Sequence, residues 1–238
     1  MTTGLTYSQY VTEIATLAVV AEDDPAFVEI LPQMITYAEN RMCRDLDFLF
    51  TTTSITGYAC ATGSRSITIP QGTIVVSEQI NIITPAGTAD PDAGTRVPCL
   101  PTTKEFLDAV YGSSTYTGVP QYFVPFNDNV FLVGPYPDAN YYVEIVGTYR
   151  PDSLSVSNPT TFISLYLPDV FIMASMVYIS GYQRNFGRQS DDPAMAQSYE
   201  GQYQALLKGA AVEEARKKFE ASGWSSQSPS PVATPSRG

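Results

Sequence analysis

Residues 121–151 constrain the fold more than any other stretch of the sequence. Asn127 and Asp128 form a turn pair near the start of this stretch, and Pro135 and Pro137 interrupt it further on. Alternation of apolar and polar residues, bounded by such turn residues, is typical of half-buried strands. We therefore predict an antiparallel three-stranded meander with an architectural role. Its predicted strands are residues 121–125, 129–133 and 141–149.

Strand-like and helix-like patterns are segregated along the chain. β-branched, alternating runs precede the meander at residues 51–57, 66–69, 73–83 and 96–100. Apolar residues recur every three or four positions elsewhere, at residues 6–17, 25–47, 101–111, 162–186 and 190–221. Such segregation favours the α+β class. We predict a central antiparallel β-sandwich or barrel-like body, flanked by a helical layer formed by the N- and C-terminal helices, with an extended C-terminal tail.

These patterns predict a division of the chain into four segments. The C-terminal segment is rich in serine and proline, a composition typical of an extended linker or tail. The C-terminal helices are expected to pack with the N-terminal helices. The four segments are the N-terminal helices at 1–50, the β-rich body at 51–158, the C-terminal helices at 159–222 and the tail at 223–238.

Local signals define several helix ends. Thr6 or Ser8 is expected to cap the first helix, and Asp24 is expected to cap the second, with Pro25 in its first turn. Pro32 lies within the apolar stripe of that second helix, which predicts a kink or a break there. The charged residues of this helix are expected mostly on its opposite, exposed side: Glu39, Arg41, Arg44, Asp45 and Asp47.

Later helices show similar signals. Thr102 or Thr103 is expected to cap a short helix whose Phe106, Leu107 and Val110 face inward. The run from residue 162 to residue 186 predicts one helix buried on nearly every side. Ser190 is expected to cap the last helix. Glu213 and Glu214, which precede three basic residues, are expected on a solvated face of this helix.

The charge balance argues against sequence-specific binding of nucleic acid. The 238 residues carry a net charge of −11 with a pI near 4.3, and they include only 13 lysines and arginines. A specific nucleic-acid binder needs clustered basic residues that replace counterions. An acidic protein still suits a place beside DNA if its task is to repel phosphates.

Catalytic and metal-binding chemistry is sparse in the sequence. The chain contains no histidine, which excludes His-dependent triads and bases and leaves no zinc set. We expect no cofactor and no metal. The sequence shows neither a signal peptide nor an apolar run long enough to span a bilayer, so we expect an intracellular product with no membrane partner. The three cysteines are expected to be buried thiols in a reducing compartment: Cys43, Cys60 and Cys99.

Short acidic clusters have a plain structural interpretation. Asp90 and Asp92 resemble the start of a calcium loop, but Pro91 between them favours a simple turn. Carboxylates that precede a helix usually serve as caps and complement its dipole. The clusters expected to act in this way are residues 22–24 and 191–192.

Two segments carry a recognisable order of motifs. Residues 31–47 contain a proline, an Ala-Glu pair, an arginine and a closing Arg-Asp-Leu-Asp, while residues 120–151 contain Pro-Gln-Tyr, Pro-Tyr-Pro-Asp and Tyr-Arg-Pro. Residues 166–169, Tyr-Leu-Pro-Asp, then open a long apolar stretch. In this order the motifs resemble the head–tail adaptor proteins of tailed bacteriophages, in particular those of small-tailed phages. The resemblance covers about residues 25–210.

The resemblance implies a structural, non-enzymatic adaptor. Its subunits would form a dodecameric ring, or connector, that docks under the portal and continues the DNA channel towards the tail. The implied partners are the portal protein, tail or nozzle proteins, further copies of the chain, and double-stranded DNA that passes through without sequence-specific binding. The protein would assemble in the host cytoplasm and belong to the neck of the virion.

Two sets of residues are candidate contacts in such an assembly. An extended tail can add to the edge of a sheet in a partner, and long helices can pack side by side in a ring. The expected portal contacts are Trp224, Pro229, Pro231, Val232 and Pro235. The expected subunit contacts are Tyr199, Tyr203, Arg216 and Lys217.

Two other functions stay open at this stage. Tyr136, Tyr141 and Tyr142 could form a platform on which a sugar stacks, although packing within a sheet is the plainer role for them. The alternative function is therefore a tail-associated carbohydrate- or receptor-binding β-module. A hydrolase that uses carboxylates alone would need two acids facing each other in a cleft, and no spacing in the sequence predicts such a pair.

Overall fold

The computed structural model describes residues 4–182 and 193–221, and the chain divides into two compact units. One unit joins Met1–Leu49 to Asp152–Gly238, and the other comprises Phe50–Pro151. The helices are α1 (Tyr7–Ala18), α2 (Pro25–Asp45), α3 (Lys104–Val110), α4 (Phe162–Tyr166), α5 (Pro168–Tyr182) and α6 (Pro193–Ala221). The strands are β1 (Thr52–Cys60), β2 (Ser66–Thr68), β3 (Val76–Thr84), β4 (Thr95–Pro101), β5 (Thr117–Gly118), β6 (Tyr122–Asn127), β7 (Val130–Gly134), β8 (Tyr136–Pro137) and β9 (Tyr141–Thr148).

The helix starts follow the local signals in the sequence. Thr6 caps α1 by accepting a hydrogen bond from the backbone N–H of Gln9, and Thr103 caps α3 in the same way. Asp24 caps α2 with Pro25 in its first turn, and its Oδ1 accepts from the N–H of Ala26 at 2.9 Å. These caps are confirmed because they depend on neighbouring residues alone. The cap predicted at Ser190 lies outside the described residues.

Helix α2 continues through Pro32 without a break, so of the two alternatives predicted there only the kink remains. A proline inside a helix costs about 3 kcal/mol. The apolar stripe of α2 is buried on both sides of Pro32, with Phe27 and Leu31 before it and Met34 and Ile35 after it. Each such side chain contributes about 1.5–3 kcal/mol when it is fully buried. The packing of the two halves therefore outweighs the proline and keeps the helix in one piece.

Helix α5 is the centre of the helical unit, and α1, α2, α4 and α6 all contact it. Phe171 of α5 stacks on Tyr10 of α1 with the ring centroids 4.6 Å apart, and the Tyr10 hydroxyl lies 2.6 Å from Ser175 Oγ. Burial raises the pKa of Tyr10, which keeps its hydroxyl protonated. Helices from both ends of the chain thus share one core.

The single long helix predicted for residues 162–186 is wrong, because α4 ends at Tyr166 and α5 begins at Pro168. Pro168 lacks a backbone N–H, and its ring disfavours the helical conformation of the preceding residue. Leu167 accordingly leaves the helical region, with ψ at 45°. The tripeptide Leu-Pro-Asp was the sequence signal for this boundary.

The β-rich unit is built on a seven-stranded sheet in the order β1-β9-β3-β4-β6-β7-β2. Its two outer strands, β1 and β2, contact each other, so the sheet curls into a nearly closed, barrel-like body. A continuous apolar core fills it, with Ile67, Ile80, Phe123, Val133 and Ile145 all less than 4% exposed. The predicted α+β class with a barrel-like β body is confirmed.

The predicted three-stranded meander is only half right. β6 and β7 form the expected antiparallel hairpin, in which Phe123 faces Val133. β9 does not join them but lies between β1 and β3, pairing Ile145 with Ile55 and with Ile80. Tyr141, Val143 and Ile145 are nearly fully buried. A strand in the centre of the sheet buries more apolar surface than a third strand at the edge of a meander, and adjacency in sequence does not reveal this.

The sheet is mixed rather than purely antiparallel, since β4 and β6 run parallel and pair Leu100 with Tyr122. Helix α3 lies between these strands in the chain, and parallel strands require such a crossover. Only Leu107 of α3 is buried, whereas Phe106 and Val110 are about two-fifths exposed, so the prediction that all three face inward is wrong. β5 and β8 form a separate two-stranded parallel ladder.

Candidate interaction surfaces

The long helix α6 buries one stripe and exposes the other side. Tyr203, Ala210 and Glu214 are 0%, 6% and 4% exposed. Their spacing of seven and four residues places them on one face of a helix. This buried stripe packs in the helical unit, where α6 contacts α5. The opposite side of α6 is therefore the surface that the unit presents to its surroundings.

A charged cluster attaches the middle of α6 to α2. Arg41 of α2 donates a hydrogen bond to Glu200 Oε1 at 2.5 Å, and its guanidinium lies 4.3 Å from the ring centre of Tyr203. The Tyr203 hydroxyl donates to Asp45 Oδ2 at 2.8 Å. The hydrogen bond from Arg41 holds the pKa of Glu200 below its usual range, while burial raises the pKa of Tyr203. These four side chains hold α6 firmly against α2.

A second cluster attaches the C-terminal part of α6. Glu214 accepts from the backbone N–H of Leu49 at 3.1 Å and from Lys217 Nζ at 2.8 Å. Lys217 Nζ also lies 5.3 Å from the ring centre of Phe162. Glu214 is buried, so the prediction that it lies on a solvated face is wrong, although Glu213 is exposed. The signal was present, because Glu214 continues the spacing of the buried stripe.

Buried Glu39 of α2 binds the segment through which the chain re-enters the helical unit after the β-rich unit. It is 7% exposed, and its carboxylate accepts from the Leu154 N–H at 3.2 Å and from Thr161 Oγ1 at 3.3 Å. Burial raises the pKa of Glu39. The expectation that Glu39 lies on the exposed side of α2 is wrong. The sequence offered a weak signal only, because Glu39 is four residues after Ile35 and three before Met42 on the buried stripe.

The outer face of α6 comprises Ala205, Lys208, Val212, Arg216 and Phe219, all exposed. Val212 is 53% exposed and Phe219 is 54% exposed. Neither Lys208 nor Arg216 forms an ion pair with any residue in the described part of the chain. The face thus combines apolar groups with two basic groups, and the opposite side of the helix packs within the helical unit. Such a surface is suited to contact with another protein.

The four subunit contacts expected from the sequence differ in their exposure. Arg216 is exposed and Tyr199 is half-buried. Lys217 is half-buried and forms ion pairs with Glu213 and Glu214. Tyr203 is fully buried within its own unit, so its side chain is not accessible to a neighbouring copy. The expected portal contacts lie outside the described residues: Trp224, Pro229, Pro231, Val232 and Pro235.

A polar network centred on buried Glu144 crosses four strands of the β-rich unit. Glu144 on β9 is 8% exposed and accepts from Asn81 Nδ2 at 2.8 Å, Arg96 Nε at 2.9 Å and Ser54 Oγ at 3.1 Å. The Arg96 guanidinium, with the Asn81 amide and the Ser54 hydroxyl, holds the pKa of Glu144 below its usual range. The network ties β1, β9, β3 and β4 together, and sequence reasoning did not find it.

Replacing Glu144 with glutamine is expected to lower the free energy of unfolding by about 2 kcal/mol at pH 7. Because the folded pKa of Glu144 is lowered, its stabilisation is complete above the ordinary value of 4.5 and is lost as the pH falls through the folded value. The variant should therefore lose less stability than the parent between pH 5 and pH 3, values chosen to span that ordinary pKa. Urea denaturation at both pH values measures this, with exposed Glu78→Gln as control. Equal pH dependence in the variant and the parent would contradict it.

The tyrosines of the alternative sugar platform do not form an exposed surface. Tyr141 is 6% exposed, and its hydroxyl donates to Asp138 Oδ1 at 2.7 Å. This bond raises the pKa of Tyr141 to about 12. Tyr136 and Tyr142 are half-buried. Since stacking on a sugar requires exposed ring faces, these positions suit packing within the sheet.

Two pairs of close carboxylates each share a basic partner instead of lining a cleft. Asp92 and Glu144 both bind Arg96, and Glu213 and Glu214 both bind Lys217. One shallow open groove, beside β6 and β7, has Asp128 as its acidic residue. Another, along α1, is lined by a single acid as well. Neither arrangement provides the facing pair of acids that a glycosidase needs.

The remaining sequence motifs have structural roles. Asp90 Oδ1 accepts from the Asp92 N–H at 3.0 Å, which confirms the predicted turn. Cys60 and Cys99 are buried as predicted, whereas Cys43 is only half-buried, so the prediction is wrong for that residue. Burial raises the pKa of the Cys60 thiol to about 11 and that of Cys99 to about 12, which keeps both protonated. No cluster of potential metal ligands occurs among residues 4–182 and 193–221. The helices described there are also too short or too polar to cross a membrane.

Comparison with protein families gives one match that spans both units. The model of the family described as SU10 adaptor protein matches residues 5–232. The matched region includes α6, the charged clusters that hold it, and the whole β-rich unit. A comparison with curated proteins finds no match.

Proposed function

The chain belongs to the SU10 adaptor family of phage proteins, as its motifs predicted, and from this we propose that it is a structural head–tail adaptor. In this proposal identical subunits form a dodecameric ring between the portal and the tail. The ring continues the DNA channel through the neck of the virion. The subunits assemble in the host cytoplasm and carry out no reaction.

This proposal rests on the contacts that hold the helices of the helical unit, α6 included, in one arrangement. Arg41, Glu39 and Glu214 use buried or half-buried charges to fasten the helical unit from within. A buried charge is costly unless its partners are in place, so these contacts favour one arrangement of the helices. The result is a rigid exposed helix surface, which suits repeated contact between subunits rather than turnover of a substrate.

The acidic character of the chain supports a place beside DNA. At a net charge of −11, a lumen lined by these subunits would repel the phosphates of a duplex. Repulsion would allow the DNA to slide without being bound.

Removing residues 225–238 is expected to weaken binding to the portal by about a hundredfold or more, because we propose that this tail adds an extended segment to the edge of a portal sheet. Co-sedimentation of the truncated chain with purified portal rings measures the effect. A second, full-length variant keeps the length of the tail but replaces the expected contact residues by serine: Trp224, Pro229, Pro231, Val232 and Pro235.

The two variants separate the tail from the adaptor role. Loss of portal binding in both supports the expected contact residues. Unchanged binding after truncation would show that the tail is not the portal contact. Absence of portal binding by the parent chain itself, together with binding to a glycan, would contradict the adaptor function and favour the carbohydrate-binding alternative.

A further inference from the structure

We propose that copies of this chain bind one another through two different faces of the helical unit. One is the outer face of α6, defined above. The other is an acidic corner formed by the exposed side of α1 and the loop that follows it. This proposal rests on the proposed function, for which it names the surfaces that join neighbouring subunits. The acidic corner comprises Glu13, Leu17, Val19, Glu22 and Asp23.

The two faces carry opposite charge. Lys208 and Arg216 give the outer face of α6 two positive charges in a protein whose net charge is −11. The acidic corner has three carboxylates, and none of them has an ion-pair or hydrogen-bond partner among the described residues: Glu13, Glu22 and Asp23. Complementary charges on two surfaces favour their association and fix its register.

Both faces also expose apolar side chains between the charges. Val212 and Phe219 on α6 are 53% and 54% exposed, and Leu17 and Val19 at the corner are 43% and 69% exposed. The free energy falls when another surface covers exposed apolar groups of this size and removes them from water. The combination of an apolar centre with charged surroundings is typical of protein–protein interfaces.

Val19 adds to the corner an exposed apolar group in an uncommon backbone conformation. It caps the C-terminus of α1 in the left-handed conformation, with φ at 56°. Glycine or asparagine is usual at such a position, because a β-branched side chain is strained there. Strained residues of this kind are concentrated at functional sites. An exposed, strained valine where glycine would fit suggests that its side chain serves a contact outside the unit.

The two faces are distinct surfaces of one unit. Helices α1 and α6 both pack on α5, each with a different part of its surface exposed. A contact between unlike faces leaves one free face on each copy, so that further copies can add head to tail. Such heterologous contacts close into rings when the rotation between copies permits.

Charge reversal tests the pairing of the two faces in the isolated protein. The α6 variant is Lys208→Glu with Arg216→Glu, and the corner variant is Glu22→Lys with Asp23→Lys. Each variant places like charges opposite one another, so we expect each to weaken self-association by about tenfold or more in sedimentation velocity. The matched control is Glu78→Lys with Asp128→Lys, two exposed positions in the β-rich unit, which should not weaken it.

A mixture of the two variants provides the sharper test. In the mixture, the reversed α6 face of one variant meets the reversed corner of the other, and the two unaltered faces also match. We therefore expect the mixture to associate as the parent protein does, although each variant alone does not. A mixture that stays dissociated would overturn the pairing, as would unchanged association of either variant alone.

A third variant, Val19→Gly, separates contact from folding. Glycine relieves the left-handed strain, so the variant is expected to be as stable as the parent or more stable. Because it removes an exposed apolar group from the proposed contact, it should weaken self-association by about tenfold. Unchanged self-association in Val19→Gly would contradict a contact role for this residue.

The outcomes distinguish this inference from the adaptor function itself. A parent chain that remains monomeric at every concentration overturns the pairing, even if it binds the portal. Variants that keep self-association but lose portal binding also overturn it, because the face then binds a different protein. A chain that self-associates as described but never binds the portal supports the pairing and contradicts the proposed function.

Discussion

Replacing Gly147 with alanine is expected to lower the free energy of unfolding of the β-rich unit by about 3 kcal/mol or more. Gly147 lies on β9, opposite Thr53 of β1 and Ser77 of β3. An added Cβ would lie 2.3 Å from the carbonyl oxygen of Val76 and 3.1 Å from Ser77 Cα. Because these are backbone atoms, the central strands would have to separate in order to admit the methyl group.

Hydrogen exchange and urea denaturation measure this effect. The exchange of amides in β3 and β9 should accelerate markedly in the variant. The matched control is Gly201→Ala on α6, where an added Cβ meets no atom within 4 Å. This control should gain about 0.5–1 kcal/mol, because alanine favours a helix more than glycine does. A Gly147→Ala protein as stable as the parent would contradict the close approach of β9 and β3.

Replacing Tyr203 with alanine is the second change with a large expected effect, about 4 kcal/mol. The side chain is fully buried, and its removal leaves a cavity beneath α6. It also deprives Asp45 of the hydroxyl that donates to it and Arg41 of the ring below its guanidinium. The middle of α6 should therefore separate from α2, and self-association through the outer face of α6 should be lost with it.

Tyr203→Phe is the matched control, because it keeps the ring and removes only the hydroxyl. Its expected cost is about 1 kcal/mol, the usual contribution of one hydrogen bond. Thermal unfolding followed by circular dichroism compares the two variants, and sedimentation measures their self-association. Equal stability of Tyr203→Ala and the parent would contradict the central position of Tyr203 in the helical unit.

Features that depend on neighbouring residues could be predicted from the sequence. The caps at Thr6, Asp24 and Thr103 follow from the chemistry of a few adjacent groups, and the structure has all three. The segregation of strands and helices likewise predicted the α+β class. The hairpin of β6 and β7 could also be predicted, because a turn of two polar residues separates its strands.

Features that depend on distant partners could not be predicted in this way. β9 follows β7 closely in the chain, yet it pairs with β1 and β3, and no local signal indicates those partners. Glu39 and Glu144 are charged residues whose burial depends on hydrogen-bond donors far away in sequence. Isolated carboxylates are usually exposed, so the sequence alone does not reveal that these two are buried.

The subunit contacts named from the sequence stay a prediction, although the exposure of their side chains differs. Arg216 was named from the sequence and lies on the outer face of α6, whereas Tyr203, named with it, is buried in its own unit. The spacing and hydrophobicity of such residues do not show which of them is exposed, because an aromatic side chain serves equally well in a core or at an interface. The acidic corner became a candidate through the exposure and left-handed conformation of Val19, which the sequence does not reveal.

Native mass spectrometry of the protein incubated with purified portal rings tests the adaptor role most directly. The adaptor role predicts a closed ring of identical subunits, twelve in the dodecameric form expected for a portal connector, bound to each portal. Disruption of the ring by the Lys208→Glu and Arg216→Glu pair would link it to the outer face of α6. A persistent monomer that leaves the portal unoccupied would contradict the proposed function.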